Sequence, residues 1–210
     1  KPGCAELYFP NRVSSLLIKS DAFIEEENKA LVLENFYNDT YLVDQNACSS
    51  PSNIFWLGNR KSNLKAQNLF WEELNKMIEK KNYSLDTKMI FDKYMSTIEA
   101  IKKNKKPIKI KMHNKHIWEI SKAHNISDGF NLGLFSSTNI QKINDMMPLL
   151  RDNEQTLTYF GCSPKDIVKS MRETQCKIDR IVPIGSALDI GFIWDGKDVI
   201  RFLSRFTQLA

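Results

Sequence analysis

The chain has 210 residues, of which 42% are hydrophobic and 26% charged, and its formal net charge is +5. This composition excludes a disordered or fibrous polypeptide, and a chain of this length buries roughly 70% of the surface its unfolded form exposes. No apolar run reaches the ~20 residues a membrane-spanning helix needs, no signal peptide opens the sequence, and a cytoplasmic protein is expected.

Residues 14–19 read as a buried strand. Ser20 and Asp21 then offer capping oxygens, and Glu25, Glu26 and Glu27 suit the start of a helix. The recurrence of Phe23, Ala30, Leu33, Tyr37 and Tyr41 predicts one continuous helix to about Leu42. A second strand is expected over 53–57, closed by Gly58-Asn59. A helix over 62–81 follows, with Phe70, Leu74, Met77 and Ile78 inward. Ser84 is placed to cap a third helix whose apolar face is Ile90, Tyr94, Ile98 and Ile101.

Ile108, Ile110 and Met112 alternate with lysines, which predicts a strand with one wet face. Residues 117–120 read as another strand, 132–135 as a further strand and 138–150 as a helix. Residues 156–161 are β-rich, and Ser163-Pro164 opens a helix to about Thr174 with Pro at the favoured first position. Residues 179–185 and the Trp194-Asp195-Gly196 turn precede a last helix over 198–205. Strands alternating with helices, without repeats or linkers, predict a single α/β domain with a parallel or mixed sheet flanked by helices.

Cys4, Cys48, Cys162 and Cys176 show neither CxxC nor zinc-site spacing. His113, His116 and His124 have no neighbouring cysteine, so no metal site is expected. Lys102-Lys103-Asn104-Lys105-Lys106-Pro107-Ile108-Lys109-Ile110-Lys111 is the one dense basic run. It reads as a solvated helix end and a lysine-guarded edge strand, or as a landing surface for an acidic carrier or the phosphates of CoA. It lacks the aromatics and arginines of a nucleic-acid module.

Cys48 stands among small polar residues on a loop between two regular elements. Loops on a rigid scaffold often carry catalytic groups, although a half-buried structural thiol fits the same spacing. The wording Gln45-Asn46-Ala47-Cys48-Ser49-Ser50-Pro51 resembles the nucleophile loop of LuxC-type acyl-CoA reductases, the bacterial fatty-acid reductase family. It is also similar to the Gly-Gln-x-Cys loop of aldehyde dehydrogenases, the superfamily of those enzymes. Asn11-Arg12-Val13-Ser14-Ser15, residues 155–161, and residues 178–185 followed by Trp194-Asp195-Gly196 and Leu203-Ser204-Arg205 resemble the same family in order and approximate spacing.

The resemblance implies an aldehyde-dehydrogenase-like catalytic domain spanning 1–210. Cys48 would be the nucleophile, with Gln45, Asn46, Ser49 and Ser50 as its supporting loop. The substrate would be an acyl-CoA or acyl-protein thioester, reduced to a fatty aldehyde through a Cys48 acyl-enzyme with hydride from NADPH. A homodimer and an acyl-supplying partner protein are implied as well. Family members carry an amino-terminal dinucleotide-binding domain. Here the chain opens at Lys1-Pro2-Gly3 and has no G-x-G-x-x-G loop, so that half is expected to lie outside these residues.

Hydrolytic aldehyde dehydrogenases bring a glutamate base from the segment before the first strand. That segment here reads Pro10-Asn11-Arg12-Val13-Ser14, with Glu6 the nearest glutamate. Nothing in residues 44–51 supplies a cation, and the preceding helix presents its negative end, so any field activating the thiol must come from elsewhere. Arg180, Trp194 and Asp195 are equally readable as architecture, an ion pair and an aromatic plug. A cysteine acyltransferase or thioesterase would instead need one of the three histidines beside Cys48. A non-enzymatic binding domain would use the basic surface.

Overall fold

The computed structural model describes residues 6–103, 107–121, 130–205 and 207. In chain order the elements are β1 (Val13–Lys19), α1 (Ser20–Glu25), α2 (Lys29–Thr40), a 3-10 turn (Tyr41–Val43), β2 (Asn53–Leu57), α3 (Arg60–Lys80) and α4 (Thr87–Lys103). Then come β3 (Lys109–Met112), β4 (Trp118–Ser121), β5 (Leu134–Ile140), α5 (Ile143–Met146) and a second 3-10 turn (Met147–Leu149). The rest is β6 (Glu154–Phe160), α6 (Pro164–Thr174), β7 (Arg180–Pro183), β8 (Ile193–Trp194), β9 (Lys197–Asp198) and α7 (Val199–Leu203).

Seven strands form one sheet in the order β3-β4-β5-β2-β1-β6-β7. Every neighbouring pair is parallel except β3 with β4. Parallel strands need crossovers, which is why the helical segments lie on the sheet faces and the central strands are apolar on both sides. Leu16, Ile18, Ile54, Trp56 and Phe135 face α1, α2 and α3. One residue out of phase, Leu17, Phe55, Ile140 and Leu157 face α5 and α6. Leu134 shares that second face and packs with Trp118, Ile120 and Ala100 of α4. The expected α/β class and mixed sheet are therefore what the chain adopts.

Several local expectations are corrected. The first long helix breaks at residues 26–28 into α1 and α2, because Asn28 caps a new start by accepting from the Leu31 amide. Ser20 is not a cap; its hydroxyl donates to Asn63 Oδ1 across to α3 at 2.6 Å. Residues 138–140 extend β5, where Thr138 and Ile140 pair with Phe55 and Leu57, and the helix expected there shrinks to α5 and a 3-10 turn. Asp86, not Ser84, caps α4 by accepting from the Met89 amide.

The largest correction concerns α4 itself. Its apolar residues Tyr94, Ile98 and Ile101 are exposed, while Lys93, Thr97 and Ala100 face the sheet. Lys93 is 1% exposed. Its ammonium lies 5.0 Å from the Trp118 ring and 3.4 Å from the Lys115 carbonyl, and burial pushes it down to about 7. His124 and Cys4 lie outside the described residues.

Glu154 opens β6 and is 2% exposed, with Oε1 lacking a hydrogen-bond partner among the described residues. Burial, opposed by a Ser15 hydrogen bond and by Arg151 and Arg12, pushes its carboxyl up from 4.5 to about 8. The folded chain thus keeps a proton there that the unfolded chain loses above about 4.5. Stability from this group is full below that value and falls as pH rises to about 8. Asp39, raised mainly by burial to about 6, adds to the same slope in the acid part of the range. Urea midpoints measured between pH 5.5 and 7 should fall with rising pH in the wild-type chain and fall less steeply in Glu154→Gln.

Candidate active site

After α2 the chain leaves the helix through the 3-10 turn and enters two successive left-handed residues, Asp44 at φ 51° and Gln45 at φ 58°. This conformation is unusual outside glycine and needs surrounding bonds to hold it. Those bonds are present. The Gln45 amide donates to the Thr40 carbonyl at 2.7 Å, and Tyr83 donates to Asp44 Oδ1 at 2.7 Å. The Gln45 side chain is 4% exposed; Nε2 donates to the carbonyls of Pro51 and Leu134, and Oε1 accepts from the Gly133 amide at 2.9 Å. Gly133 sits at φ +76° with the His116 carbonyl 1.9 Å from where a Cβ would be, so only glycine fits this strand entry.

Gln45 therefore staples the Cys48 loop to the start of β5. Gln45→Ala leaves one buried amide and two carbonyls unpaired, which costs about 1–3 kcal/mol per orphaned group at the upper end. The expected outcome is a destabilisation of at least about 2 kcal/mol together with faster hydrogen exchange across residues 44–51. A normal urea midpoint with unchanged exchange would contradict the staple.

Cys48 itself is exposed, and its carbonyl accepts from Ser14 Oγ at 2.7 Å. The thiol lines a cleft of about 280 Å3. The cleft lies at the amino ends of the parallel strands: Asn11 to Ser14 enter β1, Gln45 to Ser52 precede β2, and Phe130 and Asn131 precede β5. Ser96, Glu99, Ala100 and Lys103 of α4 close the remaining wall. Nucleotide crevices of open α/β sheets form at the opposite, carboxyl ends.

Of the sequence candidates, Gln45, Asn46, Cys48 and Ser50 line the cleft, whereas Ser49 is buried and does not. Asn46 Oδ1 accepts from Asn131 at 3.0 Å. The hydroxyls of Ser50 and Ser52 are buried with no hydrogen-bond partner among the described residues, and both residues line the cleft. Ser52 and Glu99 escaped the sequence reading, whereas Ser14 belongs to the motif before β1 and Lys103 to the basic run. Glu99 carried no sequence signal, since its place depends on how α4 packs.

Two cations reach the cleft from outside the loop, Arg12 and Lys103. Arg12 pairs with Asp179, and its Nε lies 3.9 Å from Asp195, so its charge is shared with two carboxylates. The tail motif is organised differently from a simple internal ion pair. Asp195 meets Arg12 and Gln155, while Arg180 donates to the carbonyls of Ser186 and Ala187 and lies 5.6 Å from the Trp194 ring. The tail thus buttresses the Asn11–Ser14 wall.

His113 bonds Glu119 at 3.0 Å and packs on Trp71; His116 packs on Tyr83. Neither lines the cleft. Glu6 does not line it either. Glu99 is the one carboxylate among the described lining residues, and it comes from α4 instead of from the segment before β1.

No family model matches the sequence, and no curated protein matches it significantly. Solved structures do resemble it. A salicylaldehyde dehydrogenase from Pseudomonas putida G7 complexed with salicylaldehyde aligns with a TM-score of 0.57 and 11% identity over 87% of this chain and 40% of that one. A 1-pyrroline-5-carboxylate dehydrogenase from Thermus thermophilus aligns with a TM-score of 0.53 and 12% identity over 83% of this chain and 36% of that one. The fold is aldehyde dehydrogenase-like. An indole-3-acetaldehyde dehydrogenase from P. syringae in complex with NAD+ and IAA is also similar, with a TM-score of 0.53, 10% identity and 85% of this chain covered.

The chain spans 36–40% of the length of these three dehydrogenases. Among the described residues, the turns after β1, β2 and β6 lack closely spaced glycines. Lys19 runs straight into α1, and single glycines, Gly58 and Gly161, follow β2 and β6. The G-x-G-x-x-G fingerprint of a dinucleotide site places such glycines at a helix start. Among the described residues no helix is long and apolar enough to cross a membrane.

Proposed function

We propose that this chain is the cysteine-bearing catalytic portion of an acyl-thioester reductase that makes a fatty aldehyde. The observation supporting this most directly is an exposed Cys48 on a loop braced at both ends, opening into a polar cleft of an aldehyde dehydrogenase-like fold. In this reading the Cys48 thiolate attacks the carbonyl of an acyl-CoA or acyl-protein thioester. A new C–S bond forms to Sγ, and the original C–S bond breaks to release the donor thiolate. The hydroxyls of Ser50 and Ser52 and the Asn46 amide are the donors assigned to the oxygen that becomes negative.

Release of the acyl group as aldehyde consumes a hydride. NADPH is assigned as the donor, held by a nucleotide-binding segment other than these residues. A homodimer and an acyl-supplying partner belong to the same reading. The position of His113 and His116 away from the cleft removes two of the three histidines that a cysteine–histidine acyltransferase could use.

The test is intact-mass spectrometry of the enzyme carrying both halves, incubated with a long-chain acyl-CoA. An adduct on the Cys48 peptide should appear and should discharge to fatty aldehyde on addition of NADPH. Discharge to free acid without NADPH would overturn the reductase assignment, and absence of any adduct on Cys48 would remove the nucleophile.

A further inference from the structure

A parallel sheet opens a crevice at the carboxyl ends of two neighbouring strands when their outgoing connections leave to opposite faces. Among the described connections, two strand pairs meet that condition. β1 leads into α1 on one face, while its neighbour β6 leads into α6 on the other. β2 leads into α3 on the first face, while its neighbour β5 leads into α5 on the second. The β1/β6 crevice is filled. α1 starts directly after Lys19, and a Cβ on Gly161 would lie 2.5 Å from the Ala22 Cβ and 3.2 Å from the Lys19 Cβ. The β2/β5 end is open and holds a cavity of about 510 Å3, within the range of small-molecule pockets. This cavity lies at the opposite strand ends from the Cys48 cleft and shares no lining residue with it.

The walls say which chemistry fits. Glu119 of β4 and Asp145 of α5 line the cavity, and no lysine or arginine is among its described lining residues. A phosphate or carboxylate ligand would therefore meet like charge. A bare cation is not demanded either, because both carboxylates already have donors. Glu119 meets His113 Nε2 at 3.0 Å and accepts from Ser137, and Asp145 accepts from the Gln141 and Lys142 amides at 3.1 and 2.9 Å. Each keeps lone pairs for a further hydroxyl donor. Ser121, Thr138 and Gln141 line the same space, and their side chains make no hydrogen bond to a described residue. Two hydroxyls and an amide can both donate and accept, so the matching ligand groups are ones that do the same. Ile140 and Leu149 supply apolar surface for the carbons that carry such groups.

We propose that the β2/β5 crevice is a binding site for a small, neutral, polyhydroxylated molecule of the sugar class. Glu119 and Asp145 accept from its hydroxyls, while Ser121, Thr138 and Gln141 exchange hydrogen bonds with them. Gln67 of α3 donates to Asn139 Oδ1 at 2.7 Å, which ties the α3 wall of the cavity to the end of β5. The proposal does not depend on the Cys48 assignment, since the two sites stand at opposite ends of the sheet.

The test is an NMR titration of the isotope-labelled chain with D-glucose and, separately, D-ribose, read in the side-chain amide signals of Gln67, Asn139 and Gln141. With at least one of the sugars these signals should shift saturably, with a dissociation constant on the order of 1–10 mM. Thr138→Val combined with Gln141→Ala removes a hydroxyl and an amide, and should weaken binding at least about fivefold, the effect of two hydrogen bonds. Gln141→Ala alone, at an exposed position, should weaken it at least about twofold with an unchanged urea midpoint. No saturable shift with either sugar at about 100 mM overturns the proposal. So does binding that both variants leave unaltered, because the sugar then sits elsewhere. Sodium phosphate and spermidine are the control arms. Either one shifting the same signals while the sugars do not would make the cavity an anion or a cation site and overturn the proposal as well.

Discussion

Replacing Cys48 by Ala should reduce acyl-thioester reduction by the complete enzyme by at least about 10^3-fold, a loss typical of removing a nucleophile that no neighbour can replace. The same change should leave the fold intact, because the side chain is exposed and its loop is held by backbone and Gln45 bonds that alanine keeps. Acyl adducts should vanish from the mass spectrum while the urea midpoint stays within about 0.5 kcal/mol of wild type, as for other surface substitutions. Cys162 and Cys176 serve as internal controls. Both thiols are pushed up by burial, Cys162 to about 11, so neither should take over the acyl group. If a Cys48→Ala enzyme retained a tenth of its rate, the cleft would be a binding site and not the reaction centre.

The largest stability effect should come from Phe70→Ala. Phe70 is fully buried at the meeting point of the sheet with α1, α2 and α3. Its ring lies 5.6 Å from Phe23, 5.0 Å from Phe36, 5.3 Å from Trp56 and 5.1 Å from Trp71, centroid to centroid. These tilted and edge-on contacts favour the aromatic quadrupoles and add to the area buried. Truncating a buried Phe costs about 3–5 kcal/mol, against a total stability of about 5–15 kcal/mol. With a slope of about 2 kcal/mol/M, the urea midpoint should drop by about 2 M. Phe70→Leu, which leaves a smaller void, should cost clearly less. A Phe70→Ala shift under about 0.5 M would mean that the cluster repacks around the hole, contrary to the close packing seen.

The same aromatic cluster explains what could be read before the fold was known. Leu74, Met77 and Ile78 recur with Phe70 at helical spacing on a strongly amphipathic segment, so α3 announced its inner face correctly. β2 was bounded by a polar loop and Gly58, and both ends fell where the punctuation placed them. α4 has the same kind of signal with the opposite meaning. A period of 3.6 says that a helix has an apolar face, not that the face points inward. Lys93 took the buried position because its stem packs against the sheet.

β5 was misread past residue 135 because Ser136, Ser137, Thr138 and Asn139 are polar. Pairing with β2 on one side and β4 on the other decides that segment, and neither pairing is local. For the candidate site, the loop around Cys48 was legible from its small residues and its place between elements. Its walls were not. Glu99 and Asn131 arrive from segments far along the chain, and no local pattern marks them as neighbours of the thiol.

That last point bears on how the protein is made. Of the described strands β1 is synthesised first, and it lies between β2 and β6. Ser14, whose hydroxyl holds the Cys48 carbonyl, also accepts from the Thr156 amide, 142 residues further on. Contacts of such range close late and slow folding. On the ribosome, Cys48 is therefore translated and exposed well before β5 and β6 emerge to complete its surroundings. During that interval the nascent chain carries an accessible thiol with no cleft around it. Oxidants and stray electrophiles can reach this thiol during synthesis as they can in the folded chain, where Cys48 stays exposed.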